Sequence, residues 1–173
     1  SDWRFDTRHS KEILRVLQAA HRPVSFREIP SAWGHDSFLL EIPEYHRTVH
    51  HHTLGTEWRD DPVVWAHHPT PQTWPNVSGS KDGRHLLVEA MVGWSRTDLH
   101  LLDRTTGQWT AVQVGIDAVT DLSFDGDRLV GTTTLDAPRG RVIAVPLDDV
   151  GEWTTLVPER DVVLDQLVPT DDG

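Results

Sequence analysis

The sequence contains no cysteine and only one tyrosine and one methionine. Without cysteine, disulfide bridges and thiolate metal sites are excluded. No stretch approaches the roughly 20 consecutive apolar residues that a membrane-spanning helix requires, and the chain does not open with a basic segment followed by an apolar one, as a signal peptide does. We therefore expect a soluble, cytoplasmic protein without membrane contact.

The sequence also lacks a G-x-S-x-G motif, which places the nucleophilic serine of α/β-hydrolases on a sharp turn between strand and helix. The string Gly93-Trp94-Ser95-Arg96-Thr97 comes nearest to it, but threonine replaces the last glycine. An internal repeat, described below, places this string between two strands. We predict an ordinary loop here.

Clustered positive charge is absent as well. Residues 1–49 hold seven Lys or Arg and seven Asp or Glu, whereas residues 50–173 hold nine and twenty, so the net charge of −11 belongs to the second part. Nucleic acids and anionic membranes require clustered Lys and Arg, and both are excluded as partners. The abrupt change in composition predicts two domains, 1–49 and 50–173.

Asp2 and His35 have the order of the last two members of a Ser-Asp-His triad. In such a triad the imidazole takes the proton of the serine hydroxyl, and the carboxylate fixes the imidazole tautomer. An isolated Asp and His in a sequence are more often structural or solvated. The context between them favours the hydrolase interpretation, since helical spacing over about His9 to Ala20 is followed by a predicted strand, Val24 to Ile29, and then a loop with His35.

The strings Ser1-Asp2-Trp3 and Gly34-His35-Asp36-Ser37-Phe38-Leu39 resemble the carboxyl-terminal end of the homoserine O-acetyltransferases. The resemblance covers about residues 1–49. It implies a carboxyl-terminal segment of an α/β-hydrolase. The enzymes of that family move an acetyl group from acetyl-CoA to the homoserine hydroxyl through an acyl-serine intermediate. Asp2 would orient the imidazole and His35 would be the general base, but the sequence holds no nucleophile or oxyanion hole to match.

The second part of the chain repeats itself. Ser80–Val88 matches Ser123–Val130 at an offset of 43, Leu99–Leu102 falls on Val142–Val145, and Trp109-Thr110 falls on Trp153-Thr154. A repeat of about 43 residues with short strands and Asp-Gly turns is typical of a four-stranded propeller blade. We predict that each unit runs strand, turn, strand, loop, strand, turn, strand, and that tryptophans pack between blades.

Several strings in this part resemble the amino-terminal β-propeller of prolyl oligopeptidases. They are His52-Thr53-Leu54-Gly55-Thr56, Asp61-Pro62-Val63-Val64, Ser78–Arg84, Leu135–Arg141 and Trp153–Glu159. The resemblance implies a propeller that caps a hydrolase domain and restricts entry to small peptides, which that enzyme cuts after proline. The expected fold is mainly β: an incomplete propeller of about two full blades plus parts of two, preceded by the short α/β-hydrolase segment.

Other candidate sites are weaker. Histidines at 50–52 and 67–68 could bind a transition metal, but adjacent residues of a strand point to opposite faces, so we predict no metal site and no cofactor. Asp136–Arg141 is predicted to be a blade loop, and the alternative is a wall of a peptide channel. Unpaired sheet edges favour self-association, whereas a small peptide would bind only if the propeller were complete.

The sequence thus predicts a fragment or chimera of serine hydrolases that is inactive alone. The parent activity of the larger part would be that of prolyl oligopeptidase. Two alternatives stay open: a remnant of homoserine O-acetyltransferase that uses Asp2 and His35, and a folded chimera without enzymatic activity. The sequence leaves open whether the chain is an enzyme, because it holds no nucleophile motif.

Overall fold

The computed structural model describes residues 7–20, 48–67, 70, 72–164 and 167. The chain divides into two compact units, Ser1–His46 and Arg47–Gly173. The described residues are mainly β. The assignment of residues 1–49 as a hydrolase segment stays a prediction, because most of that range lies outside the described residues.

In the first unit the structure describes one helix, α1 (Thr7–Ala19). It confirms the helix predicted from about His9 to Ala20. Its half-buried side chains, Lys11, Leu14 and Leu17, recur every three residues and form one stripe. The predicted strand at 24–29 lies outside the described residues. In the part of the chain that is described, no helix has the length and apolar character needed to cross a membrane.

The second unit consists of antiparallel sheets. The strands are β1 (Val49–His50), β2 (Val63–Trp65), β3 (Thr73–Gly79), β4 (His85–Val92), β5 (Arg96–Asp103), β6 (Gln108–Gln113), β7 (Thr120–Asp125), β8 (Arg128–Thr133), β9 (Arg141–Pro146) and β10 (Thr154–Val157). β1 pairs with β2, while β3–β6 form one four-stranded meander and β7–β10 form another. We call these meanders blade 1 and blade 2.

The two meanders confirm the repeat predicted from the sequence. The turn after β3 and the turn after β7 both contain Asp-Gly, and Gly83 and Gly126 adopt φ of 73° and 63°. Such positive values favour glycine, because other residues carry a Cβ that clashes there. In the first turn, the Asp82 carboxylate also accepts the Arg84 N–H at 3.0 Å. The third Asp-Gly, at 172–173, lies outside the described residues.

Alternation along β4 directs side chains to two different seams on the two faces of blade 1. Leu87 points toward blade 2 and Val88 points the opposite way. The wide seam, between the blades, is built from the buried side chains Leu87, Leu99, Leu122, Leu129, Ile143 and Val145, with Trp153 packed against them. The narrow seam holds Trp65, Val88 and Ala90, with Val49 and Trp109 at its border.

The tryptophans follow the prediction only in part. Trp65 and Trp109 pack in the narrow seam, and Trp153 packs in the wide one. Trp94, by contrast, is 87% exposed and its ring lies 6.2 Å from that of Trp74. The prediction of packing between blades is therefore wrong for Trp94, which lies in the turn between β4 and β5 rather than on a strand.

Gly131 permits the close approach of β7 and β8 in blade 2. It pairs with Leu122 across the two strands. A Cβ placed on Gly131 would collide with the carbonyl oxygen of Asp121, and it would also lie 2.9 Å from the Leu122 Cα. Both are backbone atoms, so neither can move aside alone. Any larger residue at 131 must push the two strands apart.

Candidate functional site

The catalytic pair expected from the sequence, Asp2 and His35, lies outside the described residues. The structure therefore does not test whether the two side chains meet. Their roles, a carboxylate that orients an imidazole general base, stay predictions.

The string that most resembles a nucleophile motif forms a hairpin turn. Gly93 adopts a φ of 64°, and the turn from Gly93 to Ser95 joins β4 to β5. Ser95 is exposed, as is Trp94 beside it. A nucleophile elbow joins a strand to a helix, whereas this turn joins two antiparallel strands. The predicted loop is confirmed for Gly93–Ser95, while Arg96 and Thr97 begin β5.

The described histidines are distributed over separate contacts. The His52 Nδ1 lies 3.0 Å from the Asp61 carboxylate, and the His50 Nε2 lies 2.7 Å from the Thr48 hydroxyl. His67 stacks on His100 with ring centroids 5.7 Å apart. Among the residues that the structure describes, no three His, Cys, Asp or Glu side chains converge as metal ligands. His68 lies outside that set.

The loop at 134–140 joins β8 to β9, and it contains all of the predicted loop 136–141 except Arg141, which begins β9. Asp136 has a φ of 52°, a left-handed value that Asp tolerates better than most residues. The Arg139 N–H donates to the Glu159 carboxylate at 2.6 Å, and the Arg139 guanidinium contacts Asp161. The predicted blade loop is confirmed by these bounds, while its role in a peptide channel is untested.

A cleft of about 1340 Å³ opens where the turns of the two blades meet. Its acidic residues include Asp82, Asp103, Asp125, Asp127 and Asp148. The Arg84 guanidinium donates to Asp103 at 3.0 Å, and this bond, with that from Thr105, holds the pKa of Asp103 well below its usual range. The Ser80 hydroxyl, and then the Arg84 N–H, lower the pKa of Asp82. These two carboxylates stay ionised near neutral pH, which does not suit a general acid.

Glu89 lies in the middle of β4 and faces the wide seam, where it is 9% exposed. Its Oε1 accepts the N–H of Leu122 on β7 at 2.9 Å, and the Asn76 amide lies 3.5 Å from its Oε2. Burial raises the pKa of Glu89 to about 7, and the charge of Asp121 adds to this, although the Leu122 and Asn76 contacts oppose it. This carboxyl can therefore exchange a proton near neutral pH.

A chain of buried polar groups also crosses the wide seam; its members are Thr97, Gln113, Thr120 and Thr133. The Gln113 amide donates to the Thr97 carbonyl at 2.8 Å, while its Oε1 accepts the Thr120 hydroxyl at 3.0 Å. Thr120 and Thr133 share a hydroxyl contact of 2.7 Å. This polar chain ties β5 and β6 of blade 1 to β7 and β8 of blade 2.

Sequence reasoning did not identify Glu89 or the polar chain. A signal was present, because Glu89 lies between Val88 and Ala90 in an otherwise apolar strand. A charged residue in such a run is costly to bury unless it has a partner. The partner, a main-chain N–H 33 residues later, has no signature in the sequence.

A family model described as prolyl oligopeptidase, N-terminal beta-propeller domain, matches residues 36–172. Among solved structures, a prolyl endopeptidase chain matches with a TM-score of 0.61 and 31% identity over 66% of this chain. Oligopeptidase B from Trypanosoma brucei matches with a TM-score of 0.58 and 23% identity, a likeness in fold. Both matches cover 17% of the solved chains.

Curated relatives of a different kind match shorter stretches. A homoserine O-succinyltransferase of Halothiobacillus neapolitanus is 44% identical over 62 residues, which is 36% of this chain and 15% of that protein. A homoserine O-acetyltransferase of Zymomonas mobilis is 52% identical over 50 residues, 29% of this chain and 13% of that protein. The chain thus spans about a seventh of these relatives, and the two likenesses together are consistent with a chimera.

Proposed function

The chain belongs to the family of prolyl oligopeptidase N-terminal β-propeller domains, and we propose that it is a non-catalytic propeller segment, related to serine hydrolases and inactive alone. The observation that carries this proposal is the pair of four-stranded blades. Their matching turns and buried seams build a scaffold, and the serine nearest to a nucleophile motif, Ser95, lies exposed in a hairpin turn. In a complete propeller such blades would restrict entry of peptides to a hydrolase domain.

An active-site fluorophosphonate probe tests the proposed inactivity, because it labels only activated serines. We expect no labelling of the intact chain at micromolar concentration. Two variants serve as controls, His35→Ala and Ser95→Ala. Labelling of a single serine that disappears in either variant would contradict the proposal.

Peptide hydrolysis tests the substrate class separately. A short peptide with an internal proline should remain intact when incubated with this chain, since no serine hydroxyl of the described blades is hydrogen-bonded to a histidine imidazole. The same peptide with a full-length prolyl endopeptidase is the positive control. Cleavage after proline by this chain alone would show that catalytic groups are present after all.

A second candidate function is that of a homoserine acyltransferase remnant, and the likeness of 52% over 50 residues favours it. Both succinyl- and acetyltransferases match, so the acyl donor is not specified. Under this alternative Asp2 and His35 would act on a serine of another chain. The same probe tests this alternative in a mixture of this chain with a homoserine acyltransferase whose own catalytic His has been replaced. Labelling that requires the mixture, and that disappears when His35 is changed to Ala, would favour it.

We propose that the partner of this chain is a second copy of itself, and that the protein is cytoplasmic. β10 forms the outer edge of blade 2, and all four of its residues are exposed, including Leu156 at 44% and Val157 at 41%. An exposed apolar edge strand is a template for pairing with another chain. We place the contact between two copies at this edge.

Analytical ultracentrifugation at micromolar concentration tests this contact. The wild type should sediment as a dimer or larger species, and Leu156→Lys should shift it toward monomer. Leu54→Lys is the matched control, because Leu54 is 93% exposed but lies outside the sheets. A wild-type monomer, or equal effects of the two variants, would contradict this placement.

A further inference from the structure

We propose that Glu89 is a pH-operated latch between the two blades: its carboxyl bridges blade 1 to β7, and the closed seam is more stable when that carboxyl is neutral than when it carries a buried charge. The latch is independent of the proposed function, since it concerns the wide seam between the two blades and requires no assumption about their function. It rests on the position of one carboxyl group and on the groups that surround it.

The geometry makes Glu89 a bridge rather than a passive core residue. β7 is the edge strand of blade 2 and pairs only with β8. The Leu122 N–H points away from that pairing and finds its acceptor in blade 1, the Glu89 Oε1 at 2.9 Å. Without this acceptor, a buried N–H of an edge strand would lack a partner, which is costly.

The surroundings of Glu89 disfavour its ionised form. β3 presents the neutral amide of Asn76 and β5 presents Leu99 directly opposite. On β7, the exposed carboxylate of Asp121 is not in contact with Glu89, but its negative charge acts on it. In the described part of the chain, Glu89 forms no ion pair with Lys, Arg or His. Ionisation thus places a charge without a cationic partner in the wide seam.

The sign of the effect follows from proton binding. Separation of the blades exposes Glu89 to water and returns its pKa toward the ordinary value near 4.5, whereas the closed seam holds it at about 7. The closed seam therefore binds the proton more tightly, and its stability falls as the pH rises from about 4.5 to about 7. An acidic shift tightens the latch and a basic shift loosens it.

Hydrogen exchange of the Leu122 amide in the intact chain tests the latch. Once corrected for the intrinsic effect of pH on exchange, protection should fall at least about tenfold between pH 5 and pH 8 in the wild type. In Glu89→Gln it should stay nearly constant, because the side-chain amide oxygen still accepts the N–H without titrating. The Trp65 amide, in the narrow seam, is the internal control and should show no such loss.

Two further measurements keep the test decisive. Asp121→Asn should reduce the loss of protection without abolishing it, since it removes only the neighbouring charge. If a variant fails to fold, the carboxyl carbon of Glu89 in the wild type can be titrated by NMR, with a midpoint near 7 expected. Any one of three results would overturn the latch. They are equal pH profiles for wild type and Glu89→Gln, a Leu122 amide that is unprotected in Glu89→Gln at every pH, and a titration midpoint of Glu89 near 4.5.

Discussion

Blade 1 is packed on both faces, but the two seams are built differently. The wide seam combines six buried aliphatic side chains with Glu89 and the polar chain. The narrow seam has three buried side chains, Trp65, Val88 and Ala90, and an imidazole stack beside them. The repeat thus reproduces turns and strands from one blade to the next, whereas each seam has its own chemistry.

The difference matters because apolar contacts are not selective. Aliphatic side chains of similar volume can replace one another in a core at modest cost. Buried hydrogen bonds demand a particular partner at a particular place, since an unpaired buried group costs about 1–3 kcal/mol. We infer that the polar chain and Glu89 specify which face of blade 2 meets blade 1, while the aliphatic groups supply most of the stability.

The largest effect should come from Gly131→Ala, which breaks blade 2 at the wide seam. The new Cβ would collide with the backbone of Asp121 and Leu122, and only a separation of β7 from β8 relieves this. We expect a loss of about 4 kcal/mol or more in the free energy of unfolding, or failure to fold. Urea denaturation followed by tryptophan fluorescence measures it.

Gly79→Ala is the matched control for that variant. Gly79 also lies in a strand, but the atom nearest to a Cβ at this position is the Leu86 Cδ2 at 3.6 Å, an ordinary contact. Its effect should be within about 1 kcal/mol, because alanine suits a strand slightly better than glycine does. Similar losses for the two glycines would show that the close approach at Gly131 is unimportant.

The sequence predicted the repeat and its turns because these depend on neighbours along the chain. Asp82-Gly83 and its copy at 125–126 encode their own backbone geometry, and alternation set the strands between them. The wide seam depends on residues far apart in sequence, such as Glu89 and Leu122, whose pairing no local rule specifies. Asp2 and His35 were identified through motif strings rather than through geometry, and they stay predictions.

A smaller loss is expected for Thr120→Val, which interrupts the polar chain of the wide seam without changing side-chain volume much. The Gln113 Oε1 would lose its donor, and the Thr133 hydroxyl would lose its neighbour, while both remain buried. We expect a decrease of about 1–3 kcal/mol in the free energy of unfolding. Thermal or urea denaturation gives the value.

Thr110→Val provides the comparison for Thr120→Val. Thr110 is an exposed strand residue of β6, where valine is well tolerated. An unchanged or slightly higher stability is expected for it. If the two variants lose equal stability, the polar chain does not distinguish the wide seam from other strand surfaces.

The smallest effect concerns the narrow seam and its pH dependence. Burial, and then the charge of His67, lower the pKa of His100, whereas the charge of Asp98 opposes this shift. The ring of Trp65, which also contacts His100, does not titrate. Because the folded pKa lies below the unfolded value of about 6.5, the unfolded chain binds the proton more readily, and stability falls as the pH drops below about 6.5. His100→Phe keeps a ring against Trp65 without titrating, so it should lose less stability than the wild type between pH 7 and pH 5, as measured by paired urea titrations.

His51→Phe, at an exposed position, should keep the wild-type profile. If His100→Phe also kept it, the imidazole stack would carry no pH sensitivity, and Glu89 alone would distinguish the two seams in their response to pH.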